Sequence, residues 1–401
     1  TNNKNSRYST SEKKFFENNF SFLISGHKDE LFGKFGGNFS FGGNLMERKS
    51  TGLDNSMGKL TAPDLFSLAN GDKKDLSITE TYIHKKINSL YGTLGINYNG
   101  WAFLDATFRN DWSSALNKEN RSFFYPSVSL SWVISDMVGK VGKGMPEWFT
   151  YAKARASFAQ VGNDMDAYQL YNTYSIGNTT AGQGKTKYDA DVRSELITSW
   201  EAGAELKFFN NRLGVDFAWY KTNAKRQLMN IPLNNLSGYD NMKVNAGNIQ
   251  NTGIEIMLNA RPIETAQFSW DTQLNFSQNK SKIIELLPGK PGMQYALGGS
   301  DALQVYAVAG GAYGEIWGTK YQRVEEGEFK GQLLLNESGL PQATSDKHKI
   351  GEQQPDFLLG WTNTFNYKNF TLSFLIDGRF GGDIFSFTNM NLQRSGISEC
   401  T

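Results

Sequence analysis

Segments of roughly ten residues alternate apolar and polar side chains along this chain, and the connections between them are by turns very short and very long. Asn99-Gly100, Asn210-Asn211 and Lys368-Asn369 read as tight turns, whereas the stretches 47–83, 162–195, 226–248 and 281–353 are long and polar. A soluble sandwich has no reason to keep long loops at one end and short turns at the other. A barrel threaded through an outer membrane does, because one rim meets a confined space and the other carries the loops that meet the outside.

The pattern is sharpest in hairpins. Over residues 101–111, Ala102, Leu104, Ala106 and Phe108 share one face, and Phe103, Asp105, Thr107 and Arg109 share the other. The segment before it repeats the scheme, with Leu90, Leu94, Ile96 and Tyr98 against Tyr91, Thr93, Gly95 and Asn97; Asn99-Gly100 supplies the type I′ turn. Trp200, Ala202, Ala204, Leu206 and Phe208 oppose Glu201, Gly203, Glu205 and Lys207. The strand leaving Asn210-Asn211 carries Leu213, Val215, Phe217 and Trp219. Ile254, Ile256 and Leu258 oppose Glu255, Asn259 and Arg261, and Trp270, Leu274 and Phe276 oppose Asp271, Gln273 and Asn275. Charges recurring on one strand face require water or a polar partner.

Strands are expected near 14–26, 31–46, 84–98, 101–112, 122–135, 149–161, 196–209, 212–225, 249–261, 267–280, 354–367 and 370–380, about a dozen, each of the length a tilted span needs. Threaded up and down, that number puts every long loop on one side. The connection 136–148 reads as plain turn chemistry, with Gly142, Gly144 and Pro146, and no helical segment is expected anywhere. Tyr98, Trp101, Phe208, Phe209, Tyr367 and Phe370 bunch beside short turns, where an interfacial girdle belongs.

Composition narrows the choice. The apolar fraction is 39% and no run approaches the roughly 18 consecutive apolar residues of a spanning helix, so any span is a strand. Aromatic residues at 13% and 41 glycines favour strands and close backbone approaches. Lys plus Arg number 41 against 40 Asp plus Glu, which leaves no electrostatic footprint for nucleic acid. The single cysteine, Cys400, allows neither a disulfide framework nor a thiolate metal site within the chain.

Enzyme signatures are not found, and no catalytic group, cofactor or metal is expected. Residues 52–60 mimic a phosphate loop, with Leu60 where a magnesium-binding hydroxyl belongs. His27, His84 and His348 are far apart in sequence and read as turn or loop positions, and Glu325, Glu326 and Glu328 as a solvated loop face. Tyr306, Tyr313, Trp317 and Tyr321 sit in the longest, Gly-rich loop. They are candidates for stacking on a ligand's rings, although an internally packed loop with its own hairpin is the favoured reading.

The run Arg109-Asn110-Asp111-Trp112-Ser113-Ser114, followed by Asn120-Arg121 and Tyr125-Pro126-Ser127-Val128-Ser129-Leu130-Ser131-Trp132-Val133-Ile134-Ser135-Asp136, resembles a segment of SusC/RagA-type TonB-dependent outer-membrane transporters. Trp112 replaces the family's usual Gly, a departure expected to fall in a loop. Ala154-Arg155-Ala156-Ser157-Phe158-Ala159-Gln160-Val161-Gly162-Asn163, Trp200-Glu201-Ala202-Gly203-Ala204-Glu205, Asn248-Ile249-Gln250-Asn251-Thr252-Gly253-Ile254-Glu255 and Tyr367-Lys368-Asn369-Phe370-Thr371-Leu372-Ser373 match later stretches in order.

The resemblance implies an all-β, antiparallel up-and-down transmembrane β-barrel of about 22 strands, of which residues 1–401 are the later portion, without the plug, the TonB-contacting segment or the closing strand. It implies import of glycans or oligopeptides energised by TonB, with a SusD-like surface lipoprotein and outer-membrane lipid as partners. A TonB-dependent siderophore or vitamin receptor, and a soluble all-β carbohydrate-binding protein, are the alternatives. In the barrel reading Asp105, Arg109, Lys153, Arg155, Glu201, Glu205, Lys207, Glu255, Arg261 and Asp271 face the lumen.

Overall fold

The computed structural model describes residues 7–142, 144–172, 174–176, 181–189, 191–300 and 303–397; Cys400 lies outside them. In chain order the strands are β1 (Arg7–Phe32), β2 (Phe35–Gly58), β3 (Leu76–Tyr98), β4 (Ala102–Ser113), β5 (Ser122–Val133), β6 (Phe149–Asn163), β7 (Tyr174–Ile176), β8 (Ala181–Gln183), β9 (Thr186–Tyr188), β10 (Glu195–Phe208), β11 (Leu213–Pro232), β12 (Asn241–Glu264), β13 (Phe268–Glu285), β14 (Gln294–Gly299), β15 (Leu303–Val308), β16 (Tyr313–Gly318), β17 (His348–Glu352), β18 (Phe357–Tyr367) and β19 (Phe370–Phe380). Of two short α-helices, α1 (Ile134–Lys140) joins β5 to β6 and α2 (Phe387–Arg394) follows β19.

One sheet dominates, in the order β1-β2-β3-β4-β5-β6-β10-β11-β12-β13-β18-β19, with β9 pairing β12 off this path. Every step along the path is antiparallel between strands consecutive along the wall, the signature of an up-and-down meander. The expected strand set is therefore present, and the long connections share one rim apart from 134–148, which joins β5 to β6 on the short-turn rim.

Register settles the faces. The partner series Ile96, Leu104, Leu130, Ala156, Ala202, Trp219, Ile254 runs across seven strands on one face. Because partners in antiparallel strands point the same way, the apolar sets of the separate hairpins merge into one surface. Its members are uncovered: Phe20 is 70% exposed, Leu130 52%, Trp200 55% and Leu372 63%. A sheet this wide with a continuous uncovered apolar face is built for hydrocarbon.

Aromatic rings gather at the short-turn rim. Phe35 contacts Phe32 at 5.0 Å and Tyr98 at 4.8 Å, and Tyr98 meets Trp101 edge-on at 5.3 Å. Phe149 stacks on Phe208 at 5.1 Å and Trp148 on Phe208 at 6.0 Å. The turn at Asn99-Gly100 has positive φ at both residues, 52° and 73°, as a type I′ turn requires.

Several expectations fail, most of them at the long-connection rim. Strands β2 and β3 run on through most of 47–83, leaving only 59–75 as connection; β11 and β12 likewise fill most of 226–248. Beyond the bilayer both faces of a strand pair are wet, so the apolar alternation that marks a span is lost while the ladder of backbone hydrogen bonds continues. The connection 136–148 is not plain turn, since it opens with α1, and α1 and α2 contradict the absence of helix. Trp112 lies within β4, opposite Ser122, rather than in a loop. His27, His84 and His348 all lie in strands.

Candidate functional site

The ten charged residues expected to line the interior fall on the face opposite the apolar surface. The partner series Gly95, Asp105, Ser129, Ser157, Glu201, Tyr220, Gly253, Asn279 carries that face across the wall. They form a polar wall rather than one pocket.

Its centre is an ionic lattice spanning three strands. Arg155 on β6 reaches over Gly203 on β10 to Asp216 on β11, with N–O distances of 2.7 and 3.2 Å, and lies 3.8 Å from Glu201. Gly203 permits the crossing, because a Cβ there would stand 2.8 Å from the Arg155 Nε. The same device recurs one strand on: Tyr220 crosses Gly253 and its hydroxyl donates to the Asn279 side chain at 3.2 Å. These two glycines are those of the Trp200–Glu205 and Asn248–Glu255 stretches quoted above.

Nearer the long-connection rim, Asp111 accepts from Arg109 Nε at 2.9 Å and from the Tyr125 hydroxyl, and a second nitrogen of Arg109 donates to Ser89 at 3.0 Å. Ser113 donates to Asp164, and Lys85 donates to the same carboxylate at 2.8 Å and to the Met165 carbonyl at 2.8 Å. Met165, Leu170 and Val192 pack with Ala115 and Leu116 beside them, so the 164–194 connection is held by its own small core. At the opposite end Arg261 pairs with Asp271 at 2.6 Å, and Lys207 with Glu205 at 3.0 Å. Asp105, Lys153 and Glu255 make no ion pair among the described residues.

Asp216, Tyr220, Lys85 and Asp164 were not foreseen. For Asp216 and Tyr220 the signal was present, since Asp216 falls between the apolar Val215 and Phe217, and Tyr220, next after Trp219, shares the parity of Asp216. Lys85 and Asp164 are 79 residues apart and carry no local pattern.

The longest connection folds on itself as a four-stranded sheet, β14-β15-β16-β17. Tyr306 and Trp317 meet edge-on at 6.1 Å, and the Trp317 indole donates to Glu315 at 3.0 Å, so these two aromatics hold the loop together. Glu315 is only 5% exposed. Burial pushes its carboxyl up, but the Ala312 amide, the Trp317 indole and the Lys349 ammonium together outweigh that and hold it below the ordinary carboxylate value. Tyr313 and Tyr321 are exposed, and Tyr321 lines an open cleft of about 1840 Å³ with Lys320, Arg323, His348 and Phe385. The acidic trio Glu325, Glu326 and Glu328 is solvated.

A single-layer antiparallel meander, with one continuous apolar face, one ion-laced polar face, an aromatic rim at its short turns and folded connections at the other, is the wall of a transmembrane β-barrel. The chain belongs to the family described as TonB dependent receptor-like, beta-barrel, which matches residues 1–377. It is similar to TonB-dependent receptor P3 of Formosa agariphila, 27% identical over 345 residues that cover 78% of this chain and 33% of that protein. TonB-dependent receptor SusC of Bacteroides thetaiotaomicron is 27% identical over 361 residues, covering 80% of this chain and 34% of the relative. The fold is similar to that of the RagAB peptide importer in its 'open-open' state, with a TM-score of 0.73 at 18% identity over 94% of this chain and 41% of that one. The chain thus spans about a third of the length of the curated relatives it matches.

Proposed function

We propose that residues 1–401 form part of the barrel of a longer TonB-energised outer-membrane importer of glycans or oligopeptides. The observation that carries this reading is the two-faced wall: lipid against the face of Leu104 and Leu130, and a water-filled, plug-bearing interior against the face of Arg155, Glu201 and Asp216. The free edges of β1 and β19 leave unpaired backbone groups, which hydrocarbon does not tolerate, so the wall closes with further strands of the longer protein. The kinship with SusC and the likeness to the RagAB peptide importer support a surface lipoprotein of SusD type as partner over the long-connection rim. The lattice of Arg155, Glu201 and Asp216 then stiffens the wall facing the plug.

The test is uptake. Cells carrying the full-length protein accumulate labelled oligosaccharide or oligopeptide in a manner abolished by loss of TonB and restored with it. Accumulation unchanged by loss of TonB, or partition of the protein with the soluble fraction, would overturn the reading.

A further inference from the structure

On the outward face of β11, β12 and β13 the apolar surface ends abruptly at Trp219, Ile254 and Phe276. The next outward positions toward the long-connection rim are Lys221, Asn223 and Lys225 on β11 and, after Gln278, Lys280 and Lys282 on β13. Register brings them together: Lys221 and Lys280 both pair with Thr252, one from each side, about 10 Å apart across two strand spacings. Lys282 pairs with Gln250, and Lys225 with Asn248, which accepts a hydrogen bond from Asn223 at 2.9 Å. The outward positions between the lysines thus carry amides and a hydroxyl, and a carboxylate, the exposed Glu285, stands at the rim-side corner of the patch, where it pairs with Asn248 opposite Lys225.

None of the four lysines makes an ion pair among the described residues. The contrast on the same face is Lys49 and Lys86, which lie 3.3 and 3.4 Å from Glu47 and are neutralised by it. Lys225, Lys280 and Lys282 are exposed and Lys221 is half-buried. Four ammonium groups, none of them ion-paired and outnumbering the single carboxylate of Glu285 at their corner, with amides between them and a hydrocarbon-facing band directly below, match a multiply phosphorylated head group whose acyl chains lie against that band.

We propose that this patch binds a phosphorylated glycolipid of the outer leaflet, its phosphates among the four lysines and its chains against Trp219, Ile254 and Phe276. A soluble anion lacks the chains, and an acidic protein loop lacks the reason for the patch to sit at the edge of the apolar band. The inference rests on the orientation of the wall in the membrane and not on what is transported.

The full-length protein, delipidated in detergent, is titrated with a bis-phosphorylated lipid A, with its dephosphorylated counterpart, and with inorganic phosphate as competitor, binding being read by native mass spectrometry. The phosphorylated lipid is expected to bind at least about tenfold more tightly than the dephosphorylated one, and the K221Q/K225Q/K280Q/K282Q variant to lose that preference. A K187Q/K320Q/K330Q/K347Q variant, altered in the connections, keeps it, and a heat-modifiable gel shift shows both variants folded. Equal binding of the two lipids, an unchanged preference in the first variant, or loss of it in the second overturns the proposal. Displacement of the lipid by an equal concentration of inorganic phosphate does so too, by making the patch a site for soluble anions.

Discussion

Arg155 lies across Gly203 and holds Asp216, at 2.7 and 3.2 Å, so three neighbouring strands are tied by one guanidinium. A Cβ at Gly203 would stand 2.7 Å from the Phe217 carbonyl and 2.8 Å from Arg155 Nε, so one of them must move. Gly203→Ala is therefore expected to destabilise by about 1–3 kcal/mol, the usual cost of forcing atoms into a filled space. Asp216→Asn costs about 1 kcal/mol or less, because both side chains of the pair are roughly a third exposed, at 31% and 35%. Thermal unfolding of the detergent-solubilised protein measures both. An alanine variant as stable as the parent would show that the crossing is not tight.

The faces are separable on a single strand. Leu104 is 44% exposed on the apolar face, and Asp105, its neighbour, points the other way beside Gly95. Leu104→Lys is expected to cost about 2–4 kcal/mol near the bilayer midplane, whereas Asp105→Lys changes a wet surface and leaves folding intact. The heat-modifiable folded fraction in outer membranes reads the difference. Equal folding of the two variants would contradict the assignment of the faces.

Alternation made the spans and their faces legible because a half-wet strand repeats every two residues, and hydrocarbon enforces that repeat. It failed where the enforcement stops. Residues 9–12, Ser9, Thr10, Ser11 and Glu12, pair with Ser56, Asn55, Asp54 and Leu53, and an almost wholly polar ribbon of this kind has no period to read. The same parity puts the expected lumen residues on the face opposite the apolar one, and it would have reached Asp216 too, which stands between the apolar Val215 and Phe217. Lys85 with Asp164, and Glu315 with Lys349, were not, because these pairs close long connections and nothing local fixes them.

The Lys85–Asp164 pair docks the 164–194 connection onto β3 and β4, with side chains 14% and 9% exposed. Asp164→Ala strands a shielded ammonium, at an expected cost of about 3–5 kcal/mol to the docked state. Amides of 164–172 should then exchange faster with solvent while those of β10 and β11 hold their rates. Unchanged exchange in 164–172 would mean that the packing of Met165 and Leu170 alone holds the connection.

Asn363 is a polar residue on the apolar face, paired to Thr272 and Phe374 and 1% exposed. Its oxygen accepts from the Trp270 indole at 3.0 Å, and its amide nitrogen has no partner. Asn363→Leu alone leaves the indole N–H unmatched and should cost about 1–3 kcal/mol; combined with Trp270→Phe the penalty should largely vanish. A double-mutant cycle on thermal stability measures the coupling. Additive losses would show that the hydrogen bond contributes nothing.

Glu315 ties β16 to Lys349 of β17, with N–O at 3.1 Å, and its carboxyl is held below the ordinary carboxylate value in the folded loop, since burial, which opposes ionisation, is outweighed by the Ala312, Trp317 and Lys349 donors. A group whose folded value is the lower one stabilises fully above its unfolded value and loses that stabilisation as pH falls through the folded value. The four-stranded loop sheet should accordingly keep its amide protection from neutral pH down to the ordinary carboxylate range and lose it below. Glu315→Gln removes the acid dependence and lowers protection at neutral pH, where a neutral acceptor replaces the charge that Lys349 faces. Protection factors of residues 303–318, measured on parent and variant across that range, decide the matter. Protection that fell on alkalinisation instead would point to Lys349, whose ammonium the nearby carboxylates of Glu352 and Glu315 hold above its ordinary value against the opposing effect of burial, as the controlling group.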